Sequence, residues 1–307
     1  MLNRGTQESM GRTIQTVGRS LEAAIYRWEF LDGEADKVLD ELTQFQNPDG
    51  GFGHGLESDF QLPDSSPMAT SVGLRTLLAL PESQRRNDMM NRAFLYLEEA
   101  YDSERGGWYI VPANVVDYPH APWWGILEET GHTAMDASWG NPSAELLSQF
   151  LRAGRNPASF DVNKQVLHAV HLLEARSHFE SEHELYCYLA LYDALKGDLK
   201  AKLGKILKKA VQDLLVLDEE KWEEYVPMPL NFAHPSREED FGIQKQDIER
   251  QLDWLACKME KSGGWSPPWG ESFYQEGMKR AYHEWIGVLT LKALRWFRDF
   301  GRLAKEE

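Results

Sequence analysis

The sequence has little cysteine, no long apolar run and no excess of positive charge, and each shortage removes a class of protein. Its two cysteines, Cys187 and Cys257, stand far apart in apolar surroundings. They read as buried thiols rather than as a disulfide framework or a paired-cysteine metal site. No stretch approaches the roughly 18 consecutive apolar residues of a membrane span. The N-terminal MLNRGTQESMGRTIQTVGRS lacks the apolar core of a secretory signal, so a cytosolic protein is expected. Lysine and arginine number 33 against 49 aspartates and glutamates, a net charge of −16. Grip on a phosphate backbone needs a basic surface, so nucleic acid is not an expected partner.

What is present is helix-forming sequence. The chain is 42% hydrophobic and 27% charged, enough for a sizeable core. Apolar residues recur at i, i+3, i+4 and i+7 over 20–30, 35–46, 68–80, 86–101, 141–153, 164–176, 183–195, 247–261 and 282–297. Ser66-Pro67 and Asn141-Pro142 are start signals, since proline fits the first helical position. The lysine-rich 196–209 reads as an outer helix with a solvated face. A strand is conceivable only at GWYIV (107–111). The expected fold class is all-α.

Two kinds of helix alternate. Segments 35–46 and 86–101 are charged and amphipathic, whereas 68–80, 183–195 and 282–297 are apolar nearly all round. A helix apolar on every side is buried on every side. The alternation therefore predicts an inner and an outer ring of helices, an α/α toroid forming one domain over 1–307. A glycine pair followed by an aromatic occurs three times, at Gly50-Gly51-Phe52, Gly106-Gly107-Trp108 and Gly263-Gly264-Trp265. The apolar helices also align weakly, with SVGLRTLLAL matching WIGVLTLKAL at Gly73 and Gly287. These repeats predict about six divergent helical hairpins.

QNPDGGFG (46–53) resembles the Q-x-x-D-G-G-F/W repeat of the terpenoid cyclase and protein prenyltransferase toroids, which include the squalene–hopene cyclases. KSGGWSPPWG matches in part and SERGGWYIVP loosely, and together the repeats cover about two thirds of the chain. The resemblance implies a scaffold role for Gln46, Asp49, Gly50, Gly51 and Phe52, tying one outer helix to the next. It also implies a central cavity holding an isoprenoid-like ligand. The chemistry of that family is not carried over. The D-x-D-D acid motif and the D-D-x-x-D magnesium motif are both missing. His183 and Cys187 lie four residues apart, on one helical face, but a zinc site needs at least three protein ligands and no third is evident. No metal and no particular cofactor is therefore expected.

The remainder of the first loop, HGLESDFQLPDSSP, lies outside that repeat. In a toroid the cavity opens at the N-termini of the inner helices, where free N–H groups and the helix dipole face a ligand. Asp59, Asp64, Ser65, Ser66 and Thr70 are candidates on that ground, with helix capping as the alternative for 64–66. The same rule selects His183 and Glu184, Tyr282, His283 and Glu284, and His120, Trp123 and Trp124 in DYPHAPWWG; Asn141 and Glu145 mark a further helix start. A histidine beside a glutamate can form an acid–base pair, so Glu284 or Glu184, partnered by His283 or His183, is the expected catalytic group, with Asp64 as an anchor. A structural bond inherited through the repeat is the alternative. Of eleven tryptophans, Trp108, Trp123, Trp124, Trp139, Trp265 and Trp269 fall in loops or near helix starts. Such rings stabilise a cation through their π faces, stack on sugars, or wedge between helices.

Three functions follow. The leading one is an enzyme, or former enzyme, binding an apolar isoprenoid-like molecule in the central cavity. The second is a carbohydrate-active toroid, a glycoside hydrolase or lyase with two acid–base groups across the cavity. The third is a non-catalytic toroid binding a lipid or peptide.

Overall fold

The structure, a computed structural model, describes residues 1–304. It contains twelve α-helices: α1 (Arg4–Thr16), α2 (Ser20–Phe30), α3 (Ala35–Thr43), α4 (Pro67–Ala79), α5 (Gln84–Glu99), α6 (Gly140–Arg152), α7 (Val162–Glu174), α8 (Glu182–Ala194), α9 (Gly197–Leu214), α10 (Pro229–Phe232), α11 (Lys245–Ser262) and α12 (Lys279–Asp299). Among the described residues there is no strand, only isolated bridges. Every periodic segment of the sequence is helical. The additions are α1 and the four-residue α10. At 107–111 no strand forms. Asp102 and Gly107 instead exchange backbone hydrogen bonds of 2.9 and 3.2 Å in a closed turn, with Trp108 buried behind it.

The chain divides into two compact units, one of residues 42–213 and the other of residues 1–41 with those from 214 onward. In the 42–213 unit, α4, α6 and α8 pack side by side in series, with α5 against α4 and α7 against α6. Helix α6 is buried at every position from Gly140 to Phe150. Helix α5 buries only Arg86, Met89, Met90, Ala93, Phe94 and Leu97, the single stripe an amphipathic helix presents to a core. Its core is aromatic, with Phe94 and Trp108 each stacked or tilted on Phe150 at 4.7 and 6.0 Å. Start signals act as read. Ser66 caps α4 by accepting from Ala69 N–H, and Pro67 follows it. Asn141 keeps an extended backbone (φ −101°, ψ 110°), so the regular part of α6 begins at Pro142.

In the other unit α1 packs on α2, α11 and α12, and α12 also packs on α2. Two backbones come close at Gly287 of α12, where a Cβ would lie 2.5 Å from Gly18 Cα. Only glycine fits there, because the obstacle is backbone.

The three Gly-Gly-aromatic turns share one bond. The backbone N–H of each aromatic donates to a hydroxyl on a buried helix: Phe52 to Thr70 Oγ1 of α4 (3.0 Å), Trp108 to Ser143 Oγ of α6 (3.1 Å) and Trp265 to Thr290 Oγ1 of α12 (2.9 Å). The ring then fills the space over that helix. This equivalence corrects the alignment of Gly73 with Gly287. Measured from the hydroxyl, Gly73 lies one turn after it and Gly287 one turn before. The rest of the first turn is also scaffold. Gln46 donates to the carbonyls of Gly50 and Met89, both at 2.9 Å, and Asp49 accepts from Gly51 N–H (2.9 Å) and from Ser65 Oγ (2.7 Å). Gly50 is required: its φ is +94°, and a Cβ would meet Arg92 O at 2.4 Å.

Cys187 is buried, as expected, but Cys257 is exposed, because it lies on the outer side of α11, whose buried stripe is Gln251, Leu252, Leu255 and Met259. No helix among the described residues is long and apolar enough to cross a membrane.

Two stability predictions follow from this packing. Thr70→Val keeps the shape and strands the buried Phe52 N–H, so urea unfolding should show a loss of about 1–3 kcal/mol. Gly287→Ala should cost a similar amount, about 1–3 kcal/mol, by forcing α12 away from Gly18.

Candidate functional site

The two loops that precede α4 and α6 close on each other within the 42–213 unit. Gln61 N–H donates to Pro119 O (2.8 Å), Ala121 N–H donates to Asp59 O (2.7 Å), and Phe60 bridges His120. The Phe60 ring meets Trp124 edge-on at 5.1 Å. Asn114 Nδ2 donates to Asp64 Oδ2 at 2.7 Å. Proline explains part of this order, since Pro119 and Pro122 hold the second loop extended or at the start of a short 3-10 turn, Pro122–Trp124. Asp59, Asp64, His120, Trp123 and Trp124, separated by up to 65 positions of sequence, thus belong to one loop layer.

Two groups in this layer are poised chemically. His120 Nδ1 lies 2.7 Å from Tyr118 O. A carbonyl only accepts, so Nδ1 carries a proton, and in the neutral ring Nε2 is the nitrogen with the lone pair. Trp124 is buried, and its indole N–H has no hydrogen-bond partner. A buried unpaired donor is costly and marks a place where an acceptor is expected. Trp123 is half-buried beside it. Asp59 is buried, and Asp64 is exposed.

The other candidates in this unit serve the scaffold. Ser65 donates to Asp49, Ser66 caps α4, and Thr70 holds Phe52 N–H. Trp139 is buried and donates through Nε1 to Arg105 O at 3.1 Å. Glu184, in the first turn of α8, is buried. It accepts from Gly140 N–H at 2.9 Å and takes both terminal nitrogens of Arg176 at 2.5 and 3.0 Å. Burial pushes its carboxyl up, while the Gly140 bond and Arg176 oppose the shift without cancelling it. His183 is partly exposed, 3.9 Å from Glu182 and edge-on to Tyr186.

In the second unit, helix α12 starts at Lys279, so Tyr282, His283 and Glu284 sit within its first turns rather than at its opening. Glu284 is buried, with Arg280 Nε at 2.8 Å and Arg19 Nη1 at 4.0 Å. His283 is exposed and edge-on to Tyr282. Trp265 is buried against Trp296. Trp269 is the centre of an aromatic cluster: its ring meets Tyr225 at 5.2 Å and Trp285 at 6.0 Å, and its Nε1 donates to Tyr274 OH at 2.9 Å. Tyr225 is 54% exposed, and the neighbouring Phe273 is 40% exposed.

One polar group escaped the sequence reading. Arg75 of α4 makes a two-pronged pair with Glu145 of α6, Nε to Oε1 at 2.7 Å and Nη2 to Oε2 at 2.8 Å. Gln149, one turn along α6, donates to Ser71 O at 2.9 Å. The available signal was a single charge in the apolar SVGLRTLLAL, since arginine is seldom placed among buried residues without a partner. Among the described residues no three His, Cys, Asp or Glu side chains gather as a metal site. Two solvent-open hollows of about 370 and 640 Å³ run along α11 by Trp254, Cys257 and Lys261, and no candidate residue lines them.

Comparison with known protein families, curated proteins and solved structures returns no match.

The raised carboxyl of Glu184 gives a signed prediction. A carboxyl that holds its proton more tightly when folded stabilises fully below the ordinary carboxylate range, and that contribution is lost as pH rises through its raised value. Glu184→Gln keeps an acceptor for Gly140 N–H but cannot ionise. Relative to the parent it should gain stability between about pH 4 and neutrality in urea titrations. A difference independent of pH would show that folding leaves this carboxyl's proton affinity unchanged, and would overturn the raised shift.

Proposed function

We propose that the chain is an α/α-toroid protein of the terpenoid cyclase and prenyltransferase kind, and that it binds an apolar, isoprenoid-like small molecule at the loop end of α4. The alternation of exposed and buried helices supports the architecture, as does the bond repeated at Thr70, Ser143 and Thr290. The observation that carries the ligand reading is the closed pair of loops, which sets Phe60, Trp123 and Trp124 beside His120, Asp59 and Asp64. Aromatic faces suit an apolar chain or a developing cation.

In this reading His120 is the acid–base group, because the Tyr118 carbonyl orients its ring and fixes the neutral tautomer with Nε2 as the acceptor. Glu184 and Glu284 suit that task less well. Each is buried against arginine, and moving a proton there would break an ion pair that is costly to leave half-made. A carbohydrate reading is favoured by a separate observation, the partly exposed rings of Tyr225, edge-on to Trp269, and of Phe273, edge-on to Tyr274, since aromatic rings at a surface suit stacking on a sugar.

Thermal-shift measurements with isoprenoid alcohols and with mono- and oligosaccharides separate the two. An isoprenoid at 100 times its Kd should add about 2.7 kcal/mol of stability. Trp123→Ala should lower isoprenoid affinity roughly tenfold, equivalent to about 1.4 kcal/mol, with little change in the free protein. Stabilisation by saccharides alone would overturn the isoprenoid reading.

A further inference from the structure

We propose that Arg75, Glu145 and Gln149 form the polar end of the ligand site and select a neutral hydroxyl head group over a charged one; this rests on the isoprenoid reading above. Arg75 projects from the open face of α4, with its side chain 57% exposed against 11% for Glu145. Glu145 holds its Nε and Nη2, which leaves Nη1 without a protein partner and fixes the plane of the guanidinium. Gln149 Nε2 donates to Ser71 O and, at 3.5 Å, to Glu145 Oε1, the oxygen that also accepts from Arg75 Nε. These bonds fix which end of the amide is the oxygen. Gln149 Oε1 is buried and has no hydrogen-bond donor.

The cluster therefore offers one unused donor and one unused acceptor on side chains that share a carboxylate oxygen. A hydroxyl is the small group that fills both, accepting from Arg75 and donating to Gln149. Charge narrows the choice. Arg75 is already paired with Glu145, so an incoming anion meets a carboxylate as well as the guanidinium. An incoming cation meets Arg75. The neutral head is the one that pays neither repulsion. Because Gln149 Oε1 is covered, entry requires a shift of the side chains over it.

The same face of α4 accommodates an apolar tail. Met68 and Val72 precede Arg75 at intervals of four and three residues, the spacing that lines up one helical face, and both are half-buried. They form an apolar strip from the loop end of α4 toward Arg75. From the cap residue Ser66 to Arg75 the helix rises about 13 Å.

The test uses the full-length protein and three probes sharing one tail: farnesol, its methyl ether and farnesyl diphosphate. Affinities are measured by calorimetry. Farnesol should bind at least tenfold tighter than the ether, which accepts but cannot donate, and tighter than the diphosphate. Gln149→Met should erase the preference for alcohol over ether. Arg75→Lys, which keeps a cation beside Glu145 but loses the free guanidinium nitrogen, should weaken alcohol and ether alike, and it serves if the Gln149 variant does not fold. Equal binding of alcohol and ether, or tighter binding of the diphosphate, would overturn the head-group assignment and leave the isoprenoid reading standing. Absence of binding by all three would overturn both.

Discussion

A backbone N–H that must be buried, and the hydroxyl that accepts it, is the constraint on which the helical arrangement turns. After each glycine pair the chain drives an aromatic ring into the core, and the amide ahead of that ring goes with it. Water cannot reach the amide, and the turn has no strand to supply a carbonyl. Thr70, Ser143 and Thr290 supply the oxygen from a neighbouring buried helix. That bond and the ring packing fix where each helix lies beneath its turn. The turn glycines follow from the same demand, since the chain has to pass close to a neighbouring backbone, as Gly50 does at Arg92.

A second theme is that buried carboxylates are tied to arginine. Glu184 meets Arg176, Glu284 meets Arg280 and Arg19, and Glu29 meets Arg295 at 2.5 Å and Arg298 at 2.7 Å. The balance differs among them. Burial raises the carboxyl of Glu184 despite its arginine. Burial also pushes Glu29 up, but two guanidiniums outweigh it, and that carboxyl lies below the usual range. Such pairs are weak sources of net stability but are costly to break singly. They join helices at fixed points, which places them with the scaffold.

The loop layer and the Arg75 cluster leave capacity unused, and among the described residues buried atoms without a hydrogen-bond partner also occur at Gln165 and Arg302. The Trp124 N–H and the Gln149 carbonyl are buried without partners, and Arg75 keeps a nitrogen without a protein partner. Most buried polar groups in native structures are satisfied. The Trp124 and Gln149 atoms fall in the 42–213 unit, one in the loop layer ahead of α4 and α6 and the other on α6 facing α4. That coincidence links the proposed tail and head of the ligand to one helix.

Sequence alone determined the helices, because apolar spacing and capping residues are local properties. Ser66-Pro67 and Asn141-Pro142 marked helix starts as the chain uses them, and the three glycine-pair turns were visible as repeats. Register between repeats was not legible. It depends on which hydroxyl meets the aromatic amide, and the glycine match between Gly73 and Gly287 pointed one turn away. The gathering of Asp59, Asp64, His120, Trp123 and Trp124 was half legible, since each lies before a buried helix, yet only the pairing of two distant loops makes them neighbours. Roles were the least legible. Glu184 and Glu284 sit in acid–base dipeptides by sequence, and Arg176, eight residues earlier, and Arg280, one turn earlier on the same helix, pair with them. Arg75, Glu145 and Gln149 come from two helices, and a partner supplied across a helix interface leaves no spacing for a sequence to display.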